Sequence, residues 1–178
     1  MIQIRKANVE DAVHIALLGG ITFTETFSEY FRDKEDLFKY NEKTFSVAKI
    51  KSSLQKENNA FWIAFWNELP IGYAKLKKYS ATEFLSYENV SQLQKIYVLR
   101  EFIGKKVGES LLEVLEKYFS ESISSHLWLS VLKANGKALK FYHKNNFENI
   151  GEHGFQIGKE TFDFFVLCKE SGKPAFKE

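Results

Sequence analysis

The sequence predicts an α/β fold, with a mixed central sheet of about seven strands flanked by about four helices. Three observations predict it. The chain has 178 residues, 44% of them hydrophobic and only two of them proline, enough for one compact domain and too few for two comfortable ones. Its apolar residues alternate in some segments and recur at helical spacing in others. Near the middle, a strand pattern runs through a glycine-bearing loop directly into a long amphipathic helix pattern. One domain is assigned to residues 1–169, and residues 170–178 (ESGKPAFKE) read as a frayed C-terminal tail.

Each element has its own signal. Ile2 and Ile4 alternate with polar residues as a short first strand. Asn8 stands where a helix cap belongs, ahead of Val9, Ala12, Val13 and Ala16. Gly19-Gly20 and the β-branched Ile21, Thr22 and Thr24 weaken that helix. Ser46 opens a second helix, with Val47, Ile50 and Leu54 on one face. Phe61–Trp66 and Ile71–Tyr79, joined across Asn67-Glu68-Leu69-Pro70, read as a hairpin. Leu93–Leu99 is a further strand. Val107, Leu111, Leu112, Val114, Leu115, Tyr118 and Phe119 then share one helix face. Leu127–Leu132 returns to strand. Asn135 caps a short helix that ends near Lys144, with Asn145-Asn146 as its stop. Two final strands, Phe147–Ile157 and Thr161–Lys169, complete the order.

Composition narrows the function classes. The 25 basic and 23 acidic side chains leave a formal charge of +2, which gives no reason to expect a nucleic-acid or membrane partner. A single cysteine, Cys168, rules out an internal disulfide framework and any multi-cysteine metal site. It sits on an apolar strand face with Phe162, Phe164 and Val166 and reads as a small buried hydrophobe. The start, MIQIRKAN, carries charge where a signal peptide needs an apolar stretch, and the uncharged run Ala12–Thr24 is too short to span a bilayer. These features predict a soluble, cytoplasmic protein.

Two segments carry chemistry. The first is LQKIYVLREFIGKKVGESLL, residues 93–112. A strand ends, a loop carries Gly104 and Gly108, and a helix begins. Such a junction presents free backbone N–H groups and the positive end of the helix dipole, which suit an anionic phosphate. Lys105 and Lys106 add positive charge at the rim. An ordinary strand-to-helix turn with solvated lysines gives the same pattern. The second is WLSVLKANGKALKFYHKNNF, residues 128–147, where Asn135, Tyr142 and Phe147 follow a strand. Asn135 as a plain helix cap, Phe141 as core and Tyr142 as a rim residue would account for it equally.

Both segments, in this order in the second half of one small domain, resemble the GNAT superfamily of acetyl-CoA-dependent N-acetyltransferases. The resemblance runs from the first strand to Cys168. The runs TFTETF (residues 22–27), NELPIGYAKL (67–76) and KIYV (95–98) look like the bacterial spermidine/spermine N-acetyltransferase subgroup. The resemblance implies that Ile96, Tyr97 and Val98 form the strand whose backbone pairs with the pantetheine arm. It implies that Ile103, Gly104, Lys105, Lys106, Val107 and Gly108, with Glu109 following, form the pyrophosphate loop. Asn135 matches the asparagine that bonds the pantetheine or phosphate region, with Lys137 in the same cap and Lys144 as a late contact to CoA. Tyr142 matches the phenol that protonates the leaving thiolate. The chemistry fits: an oxyanion needs donors and a departing thiolate needs a proton, while no metal and no covalent acyl-enzyme is required.

The chain also departs from the family pattern. Ile103 stands where the family loop has Gln or Arg, and Lys106 where its first glycine belongs. A lysine is tolerable there only if its Cβ points away from the phosphates. Gln92 and Gln94 replace the glutamates that relatives often place near the cofactor strand, so the general base lies elsewhere or is water. Among the acids Glu25, Glu29, Glu83 and Glu88, the resemblance favours Glu25 for gathering the cation of a polyamine. His14, His126, His143 and His153 read as surface or rim histidines, and Phe23, Phe27, Tyr30 and Phe31 as mostly core. The expected activity is acetyl transfer from acetyl-CoA to a small-molecule amine, and a homodimer is compatible with it. Other amine acceptors (an aminoglycoside, an amino acid, a protein N-terminus) and a non-catalytic acyl-CoA-binding module are the alternatives.

Overall fold

The computed structural model describes residues 1–171. The elements run β1 (Ile2–Lys6), α1 (Ala12–Phe27), α2 (Lys34–Thr44), α3 (Val47–Leu54), β2 (Asn59–Trp66), β3 (Leu69–Lys77), β4 (Val90–Val98), α4 (Val107–Ser120), β5 (His126–Leu132), α5 (Gly136–Lys144), β6 (Glu148–Ile157) and β7 (Glu160–Glu170). β7 reaches one residue into the segment read as the tail, because Glu170 still pairs with His126. Residues 172–178 of that tail lie outside the described residues.

The seven strands form one sheet in the order β1-β2-β3-β4-β5-β7-β6. All neighbours are antiparallel except β4 and β5. That parallel pair is joined by α4, the crossing a parallel connection requires. β2 shows why the sheet is covered on both faces. In its sequence NAFWIAFW, Ala60, Trp62 and Ala64 pack towards α4 with Leu111, Leu112 and Leu115. The intervening Phe61 and Ile63 pack towards α1 and α3 with Ile15, Leu18 and Ile50. A strand buried on both faces has no polar alternation to show. A third cluster, Phe23, Phe27, Phe31, Leu37, Phe45 and Phe162, ties α1 and α2 to the far end of the sheet.

Two helical features differ from the sequence reading. α1 runs unbroken through Gly19-Gly20. A Cβ at Gly19 would lie 2.3 Å from the Phe45 ring, so the glycine admits that ring rather than ending the helix. Thr22 and Thr26 return their hydroxyls to the carbonyls of Leu18 (2.6 Å) and Thr22 (2.9 Å), which satisfies them in place. α2 (KEDLFKYNEKT) is a helix that the apolar period does not reveal, since Leu37 is its one buried residue. Its start is fixed by Asp33, whose carboxylate accepts the Glu35 N–H at 3.0 Å. His126 is a further correction. It is 8% exposed, stacked on Tyr87 at 4.2 Å, with Nδ1 2.8 Å from the Ser125 hydroxyl, because it begins the central strand β5 rather than a rim.

Candidate active site

The sheet opens where β4 and β5 meet. Their ladder covers only Val90–Gln92 against His126–Trp128. β5 then continues along β7 to Leu132, and β4 continues along β3 to Val98. From Leu93 onward the edge of β4 that faces β5 therefore has no strand partner among the described residues. Its N–H and C=O groups are available to an extended ligand that adds itself as a strand. Ile96, Tyr97 and Val98 all lie on this open stretch and are partly exposed.

α4 starts just beyond the strand's end, after a short 3-10 turn at Arg100–Phe102. α2, α3 and α5 each receive a side-chain cap from Asp33, Ser46 and Asn135, whereas no side chain caps α4. The N–H groups of Val107, Gly108 and Glu109 thus lack intrahelical partners and keep the dipole's positive end free. Gly104 takes φ +83° and Ile103 is 57% exposed. The Lys105 ammonium lies over the Phe102 ring at 4.9 Å. Lys106, at the N-cap, takes φ +64°, a left-handed conformation that explains the family's glycine there. A lysine held so is strained by about 1–2 kcal/mol. Lys106→Gly is expected to raise stability by about 0.5–1 kcal/mol after the glycine's extra unfolded-state entropy, read as a higher urea midpoint.

The other wall is α5. Asn135 accepts the Ala138 N–H on Oδ1 at 3.1 Å, so its carbonyl oxygen is committed to the cap and only its amide N–H groups remain for a ligand. Lys137 beside it is exposed, as is Lys144 at the opposite end of the same helix. Tyr142 is half-buried, edge-on to Phe141 (5.2 Å) and Phe147 (5.6 Å). Burial, with a smaller contribution from Tyr97, raises its pKa well above the ordinary phenol value. The phenol therefore holds its proton at neutral pH, as an acid must before the leaving group departs.

Glu25 has structural work as well. Its Oε2 accepts the Arg100 N–H at 3.1 Å, and the Arg100 guanidinium donates to its carbonyl at 2.8 Å, which fastens α1 to the start of the α4 loop. It also borders a groove of about 420 Å³ lined by Ala16, Leu17, Ile21, Thr24 and Phe45. Glu29, Glu83 and Glu88 are exposed. Cys168 is buried, and its thiol is pushed up to about 11, first by desolvation. Sequence reasoning gave no role to Lys95. Its amine stands over the rings of Phe45 (5.2 Å) and Tyr97 (5.0 Å). The available signal was a lysine two residues before Tyr97, on the same face of the strand.

The sequence profile of the Acetyltransferase (GNAT) family matches residues 22–147, more than half of the chain. The chain belongs to this family. As a GNAT protein it is an acetyl-CoA-dependent N-acetyltransferase. The open β4 edge and the uncapped start of α4 fit an acetyl-CoA cosubstrate, whose pantetheine is extended and whose pyrophosphate is anionic. Over its length the chain is 26% identical to an uncharacterized N-acetyltransferase in the pepI 3' region of Lactobacillus delbrueckii subsp. lactis, covering 94% of this chain and 96% of that protein. It is 24% identical to a spermidine N(1)-acetyltransferase of Thermoplasma acidophilum, covering 83% and 88%. Its fold is shared with the PaiA N-acetyltransferase of Thermoplasma acidophilum, crystallised in complex with coenzyme A, at TM-score 0.74, 21% identity and coverage of 96% and 99%.

Proposed function

We propose that this GNAT enzyme transfers acetyl from acetyl-CoA to a primary amine of a polyamine such as spermidine or spermine, by direct attack with Tyr142 as general acid. The observation that carries the acid assignment is the protonated, half-buried phenol of Tyr142 on the helix beside the parted strands. The 93–98 edge of β4 aligns the pantetheine arm. The free N–H groups of residues 107–109, with Lys105 and Lys106, hold the pyrophosphate, and the Asn135 amide and Lys137 contribute from α5. Acetyl-CoA supplies an activated acyl group, and the protein supplies alignment, which can account for most of the rate. Support for a polyamine comes from the TFTETF, NELPIGYAKL and KIYV runs, from the distant relative named as a spermidine acetyltransferase, and from Glu25 beside the groove.

The test is CoA-thiol release from acetyl-CoA with a panel of amines. Release that depends on spermidine is the expected result. Release only with an aminoglycoside, amino acid or peptide would discard the polyamine and keep the chemistry. Binding of acetyl-CoA without turnover on any amine would make Ile103 and Lys106 the decisive departures and favour an acyl-CoA-binding module.

A further inference from the structure

An amine with an ordinary pKa near about 10 arrives as an ammonium ion at neutral pH, and it must lose a proton before or as it attacks. Gln92 and Gln94 cannot accept one. The structure offers a different group. Lys95 and Tyr97 are two apart on β4 and share a face. The Lys95 Nζ is 3.5 Å from the Tyr97 hydroxyl and is stacked against Phe45 and Tyr97. The Tyr97 phenol is in turn near enough to Tyr142 for charge on one to oppose ionisation of the other.

The surroundings of Lys95 disfavour its charged form. Among the described residues no carboxylate is within ion-pairing distance of it. The groups that face it are the Tyr40 phenol of α2, the Tyr97 phenol of its own strand, and Lys75, its cross-strand partner on β3. Desolvation lowers the Lys95 pKa, and Tyr40 only partly offsets this. Lys75 feels the same pocket: burial first, then Lys95, Lys77, Lys56 and Lys49, bring it down to about 7. The Lys95 amine donates to the Tyr97 hydroxyl oxygen at 3.5 Å, and a lysine that has shed its proton can accept one from that same hydroxyl.

We propose that Lys95, acting through the Tyr97 hydroxyl, takes the proton that the acceptor ammonium must lose to attack the acetyl group. This rests on the reading of an amine acceptor with Tyr142 as acid. The bookkeeping of protons closes. The new N–C bond forms as the C–S bond breaks, and the Tyr142 hydroxyl proton goes to the departing sulfur. An ammonium acceptor loses two protons. The first passes to the Tyr97 oxygen while Tyr97 hands its own to the Lys95 Nζ, which frees the attacking lone pair. The second leaves the nitrogen to solvent as the C–S bond breaks. Solvent then takes the proton from the Lys95 ammonium and returns one to Tyr142. Lys95 is thus a positioning residue whose lone pair orients Tyr97.

The experiment compares the wild-type enzyme with Lys95→Met, Lys95→Arg and Tyr97→Phe, measuring kcat against pH with the amine found by the panel, and acetyl-CoA affinity by calorimetry. At pH 7 each variant is expected to lose about 10²-fold in kcat while acetyl-CoA affinity stays within about twofold. The methionine variant should recover towards wild type as pH rises, since an acceptor that is already neutral needs no base. Lys95→Arg keeps a nitrogen donor stacked on the rings but is always charged and cannot become a base, so it remains informative if the methionine variant does not fold. A merely structural lysine would instead lower kcat equally at every pH, or weaken acetyl-CoA binding, and either result overturns the proposal. So does a Lys95→Met enzyme with wild-type kcat and pH profile. Failure of the parent reading looks different: the wild-type enzyme itself turns over no amine. In that event carbon-13 NMR titration of Lys95 still decides its chemistry, and an ammonium that persists to about pH 10.5 eliminates it as a base.

Discussion

Tyr142→Phe is expected to cut kcat by about 10²-fold or more while leaving acetyl-CoA affinity within about twofold. Only one oxygen is removed, and the ring keeps its edge contacts with Phe141 and Phe147, so the pocket that receives the thioester is unchanged. The departing thiolate, however, loses its proton donor. Because burial holds the Tyr142 pKa well above its ordinary value, the wild-type enzyme should keep its acid through the neutral and mildly alkaline range. Any alkaline decline of kcat belongs to the phenol's loss of its proton and should vanish in the variant. Stopped assays of CoA-thiol release, beside calorimetric titration of acetyl-CoA, check both halves. An unchanged kcat would remove Tyr142 from the mechanism, and water would be the acid.

Most of the architecture was legible because its signals are local. The amphipathic face of α4, the Asn135 cap and the apolar run of β2 each announce themselves within a dozen residues. The glycine-bearing loop from Ile103 to Gly108 ahead of α4 was legible for the same reason. What the sequence hid depends on partners far along the chain. α2 buries only Leu37 and leaves its neighbour Phe38 exposed, so no apolar period marks it. Gly19 looked like a helix breaker because the Phe45 ring that fills its missing side chain lies 26 residues on. The start of β4 at Val90 was missed, yet its three-residue ladder with β5 is what ends the pairing and opens the cleft. Lys95 was invisible as chemistry for a related reason. Nothing in a single strand shows that a lysine will be enclosed by Phe45, Tyr40 and Lys75, and such enclosure is what distinguishes it from a solvated charge.

The same dependence on distant partners makes Gly72 the most sensitive glycine of the site. It lies in β3, paired with Val98 of β4 on one side and with Ala64 of β2 on the other. A Cβ there would stand 2.7 Å from the Tyr97 carbonyl oxygen and 3.3 Å from the Val98 Cα. Both obstacles are backbone of β4, so neither can swing aside as a side-chain tip would. Gly72→Ala must therefore push β4 outward or break its ladder, at a cost of about 2 kcal/mol or more. Gly20, inside α1, has open space within 4 Å of where a Cβ would stand, so Gly20→Ala should stabilise by about 0.5–1 kcal/mol through helix propensity alone. Urea midpoints of the two variants should move in opposite directions, and acetyl-CoA affinity should fall only in Gly72→Ala. If Gly72→Ala unfolds at the wild-type midpoint and binds acetyl-CoA as tightly, then β3 and β4 have slack, and the fixed position of Tyr97 opposite Tyr142 must come from the α1–α2 side of the sheet instead.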